Sequence, residues 1–255
     1  MTRISIVRGR STAMGTRLKL LTVGLVLVTA AVAGCSSTTD SSGAVQDEVP
    51  QGASCADGGL CALGNSGPGG GVVFYVSPGT FSCGANTAST CKYLESAPNM
   101  WNPNSSSACK EATGTSCGGT LQTTSDFSST GQGFPWCTGS GKDSLIPGAF
   151  GNGIGSGYAN TTIMLPDCNP GDAGNVARSY TGGGMTDWSL ASKDELNALY
   201  IYTNRAAIGG FNSGYYWSSS QIDAALAFNQ SFSTGGTGTH SYKSFALGAR
   251  PVRAF

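Results

Sequence analysis

The N-terminal segment limits the fold of this chain more than any other feature. Five basic residues and no acidic one precede an apolar run from Leu20 to Val32. The motif Val32-Ala33-Gly34-Cys35 matches the lipobox, at which a bacterial signal peptidase cuts before a cysteine that carries lipid. The sequence therefore predicts a signal peptide over residues 1–34 and a lipid on Cys35, because the apolar run is too short to remain as an anchor. An ordinary secretory cleavage is the alternative, and translation from Met14 would still give a complete signal.

Export determines how the other cysteines are interpreted. The chain has nine cysteines, and assigning Cys35 to lipid leaves eight, an even number that predicts disulfides in an oxidising compartment. Pairing near neighbours gives the scheme Cys55–Cys61, Cys83–Cys91, Cys109–Cys117 and Cys137–Cys168. Zinc is disfavoured, because the chain has no Cys-x-x-Cys pair and His240 is its single histidine. We expect no metal and no cofactor.

Charge disfavours one class of partner. Subtracting the five basic residues of the signal from the 14 in the chain leaves 9 basic against 14 acidic residues, a net charge of −5 from Cys35 onward. Nucleic acids and sulfated polysaccharides favour basic surfaces, so neither is expected as a partner. Charged residues are only 11% of the chain and 39 residues are glycine, which is typical of a loop-rich extracellular domain.

The rest of the chain divides into a tether and one domain. Residues 35–54 are small and polar, which predicts a flexible tether, and residues 55–255 are enough for a single domain. The glycine run Gly67–Gly71 precedes a strand and lacks a following Gly-Lys-Ser/Thr, so it is not a phosphate loop. Residues 98–158 form a long Gly/Ser/Thr/Asn-rich insert, which we interpret as a stabilised functional loop region.

Periodicity and turn residues predict short elements in this domain. Ser192 and Glu195 have the spacing of a capping box, which predicts a helix that runs to about Thr203. The other expected helices cover Ala159–Leu165 and Ala173–Tyr180. The expected strands cover Val72–Val76 (closed by Pro78-Gly79), Lys92–Ala97, Tyr215–Ser218, Leu226–Phe232 and Ala249–Phe255, with a turn at Gly235–Thr239.

Four motifs in order resemble one bacterial family. They are Gly67–Val76, Asp187-Trp188-Ser189-Leu190 with the Ser192–Leu196 cap, Tyr216-Trp217-Ser218-Ser219, and Arg250-Pro251-Val252-Arg253. Together they resemble the C-terminal domain of the collagen-like adhesin Lcl, a variant C-type-lectin-like fold, over about Gly64 to Phe255. Members usually have Leu-Pro where this chain has Leu190-Ala191, so the loop before the helix lacks a rigid turn.

The resemblance implies both a fold and a kind of function. The expected fold is an α+β, C-type-lectin-like domain with a small antiparallel sheet, two or three helices and long disulfide-stapled loops. Its first and last strands are expected to pair. The implied role is binding or adhesion and not a reaction.

The motif residues have a structural and a functional interpretation. They are Asp187, Trp188, Ser192, Glu195, Trp217, Arg250 and Arg253. The charged ones could grip a ligand, but partly buried charges are normally paired, so we favour a network in which Glu195 and Arg253 join helix to sheet. The two tryptophans are expected in the core.

The candidate ligand residues lie in the polar insert. Trp101 and Trp136 have little apolar company, and Asn102 follows the first of them. An exposed tryptophan beside amide side chains suits stacking on a sugar ring; a small satellite core beneath a disulfide loop is an equal alternative. The sugar-binding calcium motifs of C-type lectins are absent, and Asp167–Asp172 is interpreted as a turn.

These observations favour a non-catalytic protein. A Ser-His-Asp arrangement would depend on His240 alone, no Gly-x-Ser-x-Gly elbow is present, and the cysteines are assigned to disulfides. We expect an exported lipoprotein, attached by lipid to the outer face of the bacterial cell membrane or cell surface, whose domain recognises glycan or protein. The alternatives are a structural envelope lipoprotein without a soluble ligand and, less favoured, an enzyme of unknown type. The oligomeric state is left open.

Overall fold

Short strands and helices alternate in the computed structural model, which describes residues 54–102, 116–117, 120–121, 126 and 133–255. The signal segment, residues 35–53 of the tether with Cys35, and Cys109 lie outside the described residues. The strands are β1 Val72–Cys83, β2 Ser89–Ser96, β3 Ser116–Cys117, β4 Thr120–Leu121, β5 Phe134–Pro135, β6 Ser189–Leu190, β7 Tyr215–Gln221, β8 Leu226–Ser231, β9 Thr239–Tyr242, β10 Ala246–Leu247 and β11 Pro251–Ala254. The helices are α1 Gly157–Met164, α2 Ala173–Ser179, α3 Lys193–Ile201 and α4 Arg205–Ile208. The predicted α+β class is confirmed.

The main sheet has four strands in the order β1-β2-β11-β6, and all its pairs are antiparallel. The expected pairing of the first and last strands is therefore wrong, because β2 lies between them. The short hairpin after Cys83 lets β2 pair with β1 directly, and β11 then takes the free edge of β2. Glu95 faces Val73 on one side and Arg253 on the other.

The end of β1 also differs from the expectation. Pro78 and Gly79 were expected to close the strand, yet it continues to Cys83. The register shifts between Val76 and Phe81, so the proline and glycine lie in an irregular stretch of the ladder. Bulges and edges are the places where a sheet tolerates these residues, because proline has no N–H to donate.

A second sheet, β7-β8-β9, is antiparallel and packs against helix α3. The capping box predicted for α3 is confirmed: Ser192 Oγ accepts from Glu195 N, and the Glu195 carboxylate accepts from Ser192 N. The helix ends at Ile201, two residues before the expected Thr203. The single turn α4 was not predicted, because four residues carry too little periodicity.

Two hydrophobic clusters form most of the core. One contains Trp136, Ile146, Met164, Leu190 and Trp217, and the other contains Phe74, Leu94, Leu196, Leu199, Tyr216 and Phe232. Trp188 and Trp217 are fully buried, so their assignment to the core is confirmed. Leu196 and Leu199 of α3 pack against both sheets through the second cluster.

Within the described part of the chain, three disulfides brace the loops. They join Cys55 to Cys61, Cys83 to Cys91 and Cys137 to Cys168, the same partners that near-neighbour pairing gives. The last of them connects the loop after β5 to the segment before α2. Within the described residues, no helix has the length and apolar character needed to cross a membrane.

Candidate functional site

Asp187, Arg250 and Arg253 of the motifs take part in ion pairs. Arg253 donates from Nη1 to Glu95 Oε1 at 2.8 Å and from Nε to Asp187 Oδ1 at 2.5 Å. The two carboxylates raise the pKa of Arg253, against the effect of burial, which lowers it. Glu195 was expected in this network, but its partners are backbone groups, and Glu95 takes the place beside Arg253. Arg253 therefore joins strand β11 to β2 and not to helix α3.

Glu95 explains the glycine run. Its carboxylate accepts from Gly69 N at 2.9 Å and from Gly71 N at 3.0 Å. A Cβ on Gly69 would lie 2.5 Å from the Trp188 ring, so a larger residue cannot take this position. The run does bind an anion with its N–H groups, as a phosphate loop does, but the anion is a side chain of the same domain.

A second buried pair involves Arg250 and Asp126. Arg250 binds Asp126 through two hydrogen bonds of 2.5 and 2.7 Å, and neither side chain is exposed. It also donates to the carbonyls of Ala97 and Gly209 at 3.0 Å each, and its guanidinium lies 4.0 Å from the Phe211 ring centroid. Because its N–H groups donate to Asp126, Ala97 and Gly209, Arg250 connects three loops. We call Glu95, Asp126, Arg250 and Arg253 the charge cluster.

Glu195 is a cap and a loop anchor. Besides Ser192 N, its carboxylate accepts from Gly155 N at 2.8 Å and Gly157 N at 3.3 Å. Desolvation raises the pKa of Glu195, and these three N–H donors oppose that shift. A Cβ on Gly157 would lie 2.2 Å from a Glu195 oxygen, so glycine is required there.

The structure contradicts the assignment of Trp101, Asn102 and Trp136 to a sugar site. Their exposed fractions are 5%, 6% and 0%. The Trp101 indole donates to Asp126 Oδ1 and the Trp136 indole to the Ser218 carbonyl, each at 2.7 Å. Both rings therefore fill the core, which was the alternative interpretation. Polar neighbours in the sequence were misleading because the apolar partners come from distant strands.

Lys243 is a buried cation that the sequence did not reveal. Its Nζ donates to Ser144 O at 2.8 Å, and to Gly141 O and Gln221 Oε1 at 3.1 Å each. Burial lowers the pKa of Lys243 to about 8. These neutral partners and the Trp136 ring, 5.0 Å away, attach strand β9 to the loop after β5.

One set of potential metal ligands is present among the described residues. Cys137, Cys168 and Asp172 come within 4.8 Å of one another. The two sulfurs are joined in a disulfide, and Asp172 accepts from Thr138 N and Asn169 N at 2.7 Å each. A disulfide offers no thiolate, so these residues do not suit a metal.

An open groove lies beside α3 and α4, and its volume is about 710 Å³. Its aromatic and polar walls include Tyr200, Tyr202, Arg205, Phe211, Asn212 and Phe232. The glycine turn at 209–210 has φ of +76° and +74°, and a Cβ on Gly210 would lie 2.3 Å from Asn99 Oδ1. Glycine therefore lets the chain turn sharply behind Phe211.

The groove combines rings with free hydroxyls. Tyr200 and Tyr202 are half-buried, and neither hydroxyl takes part in a hydrogen bond within the described part of the chain. Arg205 is the one charged side chain among the lining residues. Its guanidinium lies 4.4 Å from the Tyr200 ring centroid and donates to the Tyr200 carbonyl, so it braces the wall.

A further cavity of about 360 Å³ lies between the β1–β2 hairpin and β11, beside Asp187 and Arg253. Those two side chains are paired with each other, so the aromatic groove is the stronger candidate site. The groove carries no local signal in the sequence, because its walls come from α3, the 202–213 segment and the end of β8. No family model matches this chain, and no curated protein is significantly similar to it.

Proposed function

We propose that this protein is a lipid-anchored recognition module on the outer face of a bacterial cell, and that its groove binds a neutral glycan. Attachment through Cys35 follows from the lipobox. The three disulfides among the described residues support export, because such bonds persist in oxidising compartments. The four motifs that resemble the Lcl C-terminal domain support a C-type-lectin-like identity and an adhesive role without catalysis.

The groove chemistry carries the glycan assignment. Aromatic rings at half-buried positions offer flat apolar surfaces to the C–H face of a sugar ring. The hydroxyls of Tyr200 and Tyr202, with Asn212 and Ser213, offer donors and acceptors beside those rings. Concave sites that mix aromatic walls with a few polar groups are typical of small-ligand binding.

The charge of the site selects neutral ligands. Arg205 is already engaged with the Tyr200 carbonyl and with two aromatic rings. Among the described residues that line the groove, no other side chain is charged. A net charge of −5 beyond the signal also repels polyanions.

An array of neutral and acidic glycans, probed with the full-length chain in detergent, tests this function. We expect binding to neutral glycans that Tyr202→Ala abolishes. Tyr242→Ala is the matched control, because Tyr242 is 57% exposed and does not line the groove. Absence of glycan binding, or binding that a folded Tyr202→Ala variant retains, would overturn the proposal and favour a structural envelope role.

Lipid attachment has its own test. Mass spectrometry of the N-terminal peptide from bacterial membranes should show a diacylglyceryl mass on Cys35, and Cys35→Ala should release the protein from the membrane fraction. An unmodified Cys35 in the mature chain would contradict the anchor.

A further inference from the structure

A small polar cavity lies next to the groove, between α3 and β8. Its volume is about 100 Å³, and its walls include Lys193, Asp194, Asn197, Phe228, Gln230 and Thr237. A space of this size holds one substituent of a sugar and not a whole ring. It is neither part of the charge cluster nor of the groove described above.

The cavity and the groove are successive along one seam. Asn197 of the cavity and Tyr200 of the groove are three residues apart on α3, so they share a helix face and differ by about 4.5 Å along its axis. Gln230 and Phe232 are two residues apart and lie on the same face of the β8 region. A sugar ring in the groove can therefore direct a substituent toward the cavity.

An amide pair in the cavity is incompletely hydrogen bonded. Gln230 is 2% exposed, and its Nε2 donates to Asn197 Oδ1 at 3.1 Å. Within the described residues, Gln230 Oε1 accepts no hydrogen bond and Asn197 Nδ2 donates none. Turning both amides over gives the same result, one free donor and one free acceptor. Both positions are open to solvent, because neither atom is among the buried side-chain atoms that lack a partner. The pair therefore offers one acceptor and one donor to a ligand that enters the cavity.

The other walls combine the Phe228 ring, one charged pair and the neutral polar residues Ser218, Asn229 and Thr237. The Phe228 ring is half-buried at the cavity. The Lys193 ammonium lies 5.6 Å from that ring centroid and 3.5 Å from Asp194 Oδ1, so the two charges offset each other. A neutral group with one N–H donor, one carbonyl acceptor and a methyl end matches these walls, with the methyl against Phe228.

We propose that the cavity binds the acetamido group of an N-acetylated amino sugar whose ring lies in the groove. This inference rests on the proposed glycan function and narrows its ligand class. The amide pair provides the complementary donor and acceptor, and Phe228 contacts the methyl group. A plain hydroxyl at the same sugar position can also donate and accept one hydrogen bond, but it fills less of the cavity and leaves Phe228 without a methyl contact.

Calorimetry on the full-length chain in detergent tests the inference with two matched ligands. They are a β1,4-linked tetramer of N-acetylglucosamine and the β1,4-linked glucose tetramer, which lacks the acetamido groups. We expect the N-acetylated tetramer to bind at least about tenfold more tightly, because its acetamido methyl fills the cavity and packs on Phe228, a contact that the hydroxyl of glucose lacks. Saturation-transfer NMR should show the acetamido methyl protons in contact with the protein.

Two variants locate the effect. Gln230→Leu removes both amide atoms, and Asn197→Leu removes its partner from a half-buried position that tolerates change better. In each folded variant the affinity ratio between the two tetramers should fall to about one, while binding of the glucose tetramer changes less than about twofold. Equal affinities in the natural protein, or a ratio that both variants retain, would overturn the acetamido site alone. Failure of both tetramers to bind, while other neutral glycans bind on the array, would overturn the acetamido site alone. Absence of binding by every neutral glycan would overturn it together with the glycan function.

Discussion

The charge cluster and the α3–β8 seam use polar groups in opposite ways. In the charge cluster, Glu95 and Arg250 are almost fully buried and each has at least three hydrogen bonds to the protein. Along the seam, tyrosine hydroxyls and the Gln230 amide keep open positions. Groups that satisfy one another hold the fold together, and groups that remain open are available to a ligand.

Arg250 connects the two regions. Its guanidinium pairs with Asp126 on one side and stacks on Phe211, which lines the groove, on the other. The rigid cluster therefore supports the floor of the open site. Measuring how much stability each region contributes tests the division between a structural charge cluster and an open seam.

The largest expected effect is loss of the buried pair. Arg250→Met leaves the Asp126 carboxylate buried without its cation, which costs about 3–5 kcal/mol. In a domain of this size, that corresponds to a decrease in the melting temperature of about 10 °C. Thermal unfolding of the oxidised protein, followed by circular dichroism, measures it.

The double variant Arg250→Met with Asp126→Leu is the control. Because it removes both charges, it should recover much of the lost stability. If the double variant is as unstable as the sum of its single changes, packing and not charge explains the role of Arg250.

The contribution of the Cys137–Cys168 disulfide to stability can be compared with that of the charge cluster. Replacing both cysteines with serine frees a segment with a sequence separation of 31 residues. The chain-entropy argument predicts a loss of about 3–4 kcal/mol. Urea unfolding of the Cys137→Ser/Cys168→Ser variant and of Arg250→Met compares the two losses of unfolding free energy. A loss below about 1 kcal/mol would show that this loop is held by contacts such as those of Lys243.

Lys243 is a buried charge whose hydrogen-bond partners are neutral, unlike the ion-paired residues of the charge cluster. Its contribution to stability should therefore depend on pH. Because its folded pKa of about 8 lies below the ordinary value of 10.5, the unfolded chain binds more protons between these limits. The unfolding free energy should therefore rise with pH in that window, by about 1 kcal/mol from pH 8 to 9. Urea unfolding at both pH values should show the rise in the natural protein and not in Lys243→Met. If the unfolding free energy rises equally with pH in the natural protein and in Lys243→Met, the pH dependence comes from other groups.

Local signals in the sequence predicted much of the fold. The prediction of the α3 capping box was correct, because such a box involves residues only three apart. The pairing of the outer strands was wrong because strand order depends on which edge remains free, here the edge of β2 after its hairpin with β1. The partner of Arg253 was missed for the same reason, since Glu95 is 158 residues away in the chain.

The candidate site was less accessible to sequence analysis. The sequence left an exposed and a core position for Trp101 and Trp136 equally open, because their neighbours in the chain are polar. Their contacts come from Asp126, Ser218 and the core. Groove residues such as Tyr202 and Phe211 carry no motif. A hydroxyl or ring is free for a ligand when no other part of the protein contacts it. That can be seen only in the three-dimensional arrangement.

The smallest effect on stability is expected in the groove itself. Ile201 is 65% exposed and lines the groove, so Ile201→Ser should change the unfolding free energy by less than about 0.5 kcal/mol. If the groove is the glycan site, the same change should weaken glycan binding about fivefold, since it removes apolar contact area from the wall. Leu145→Ser is the matched control, because Leu145 is 56% exposed and lies outside the groove lining. A large loss of stability in Ile201→Ser would mean that this wall belongs to the structural core, and the division between a closed charge cluster and an open seam would fail.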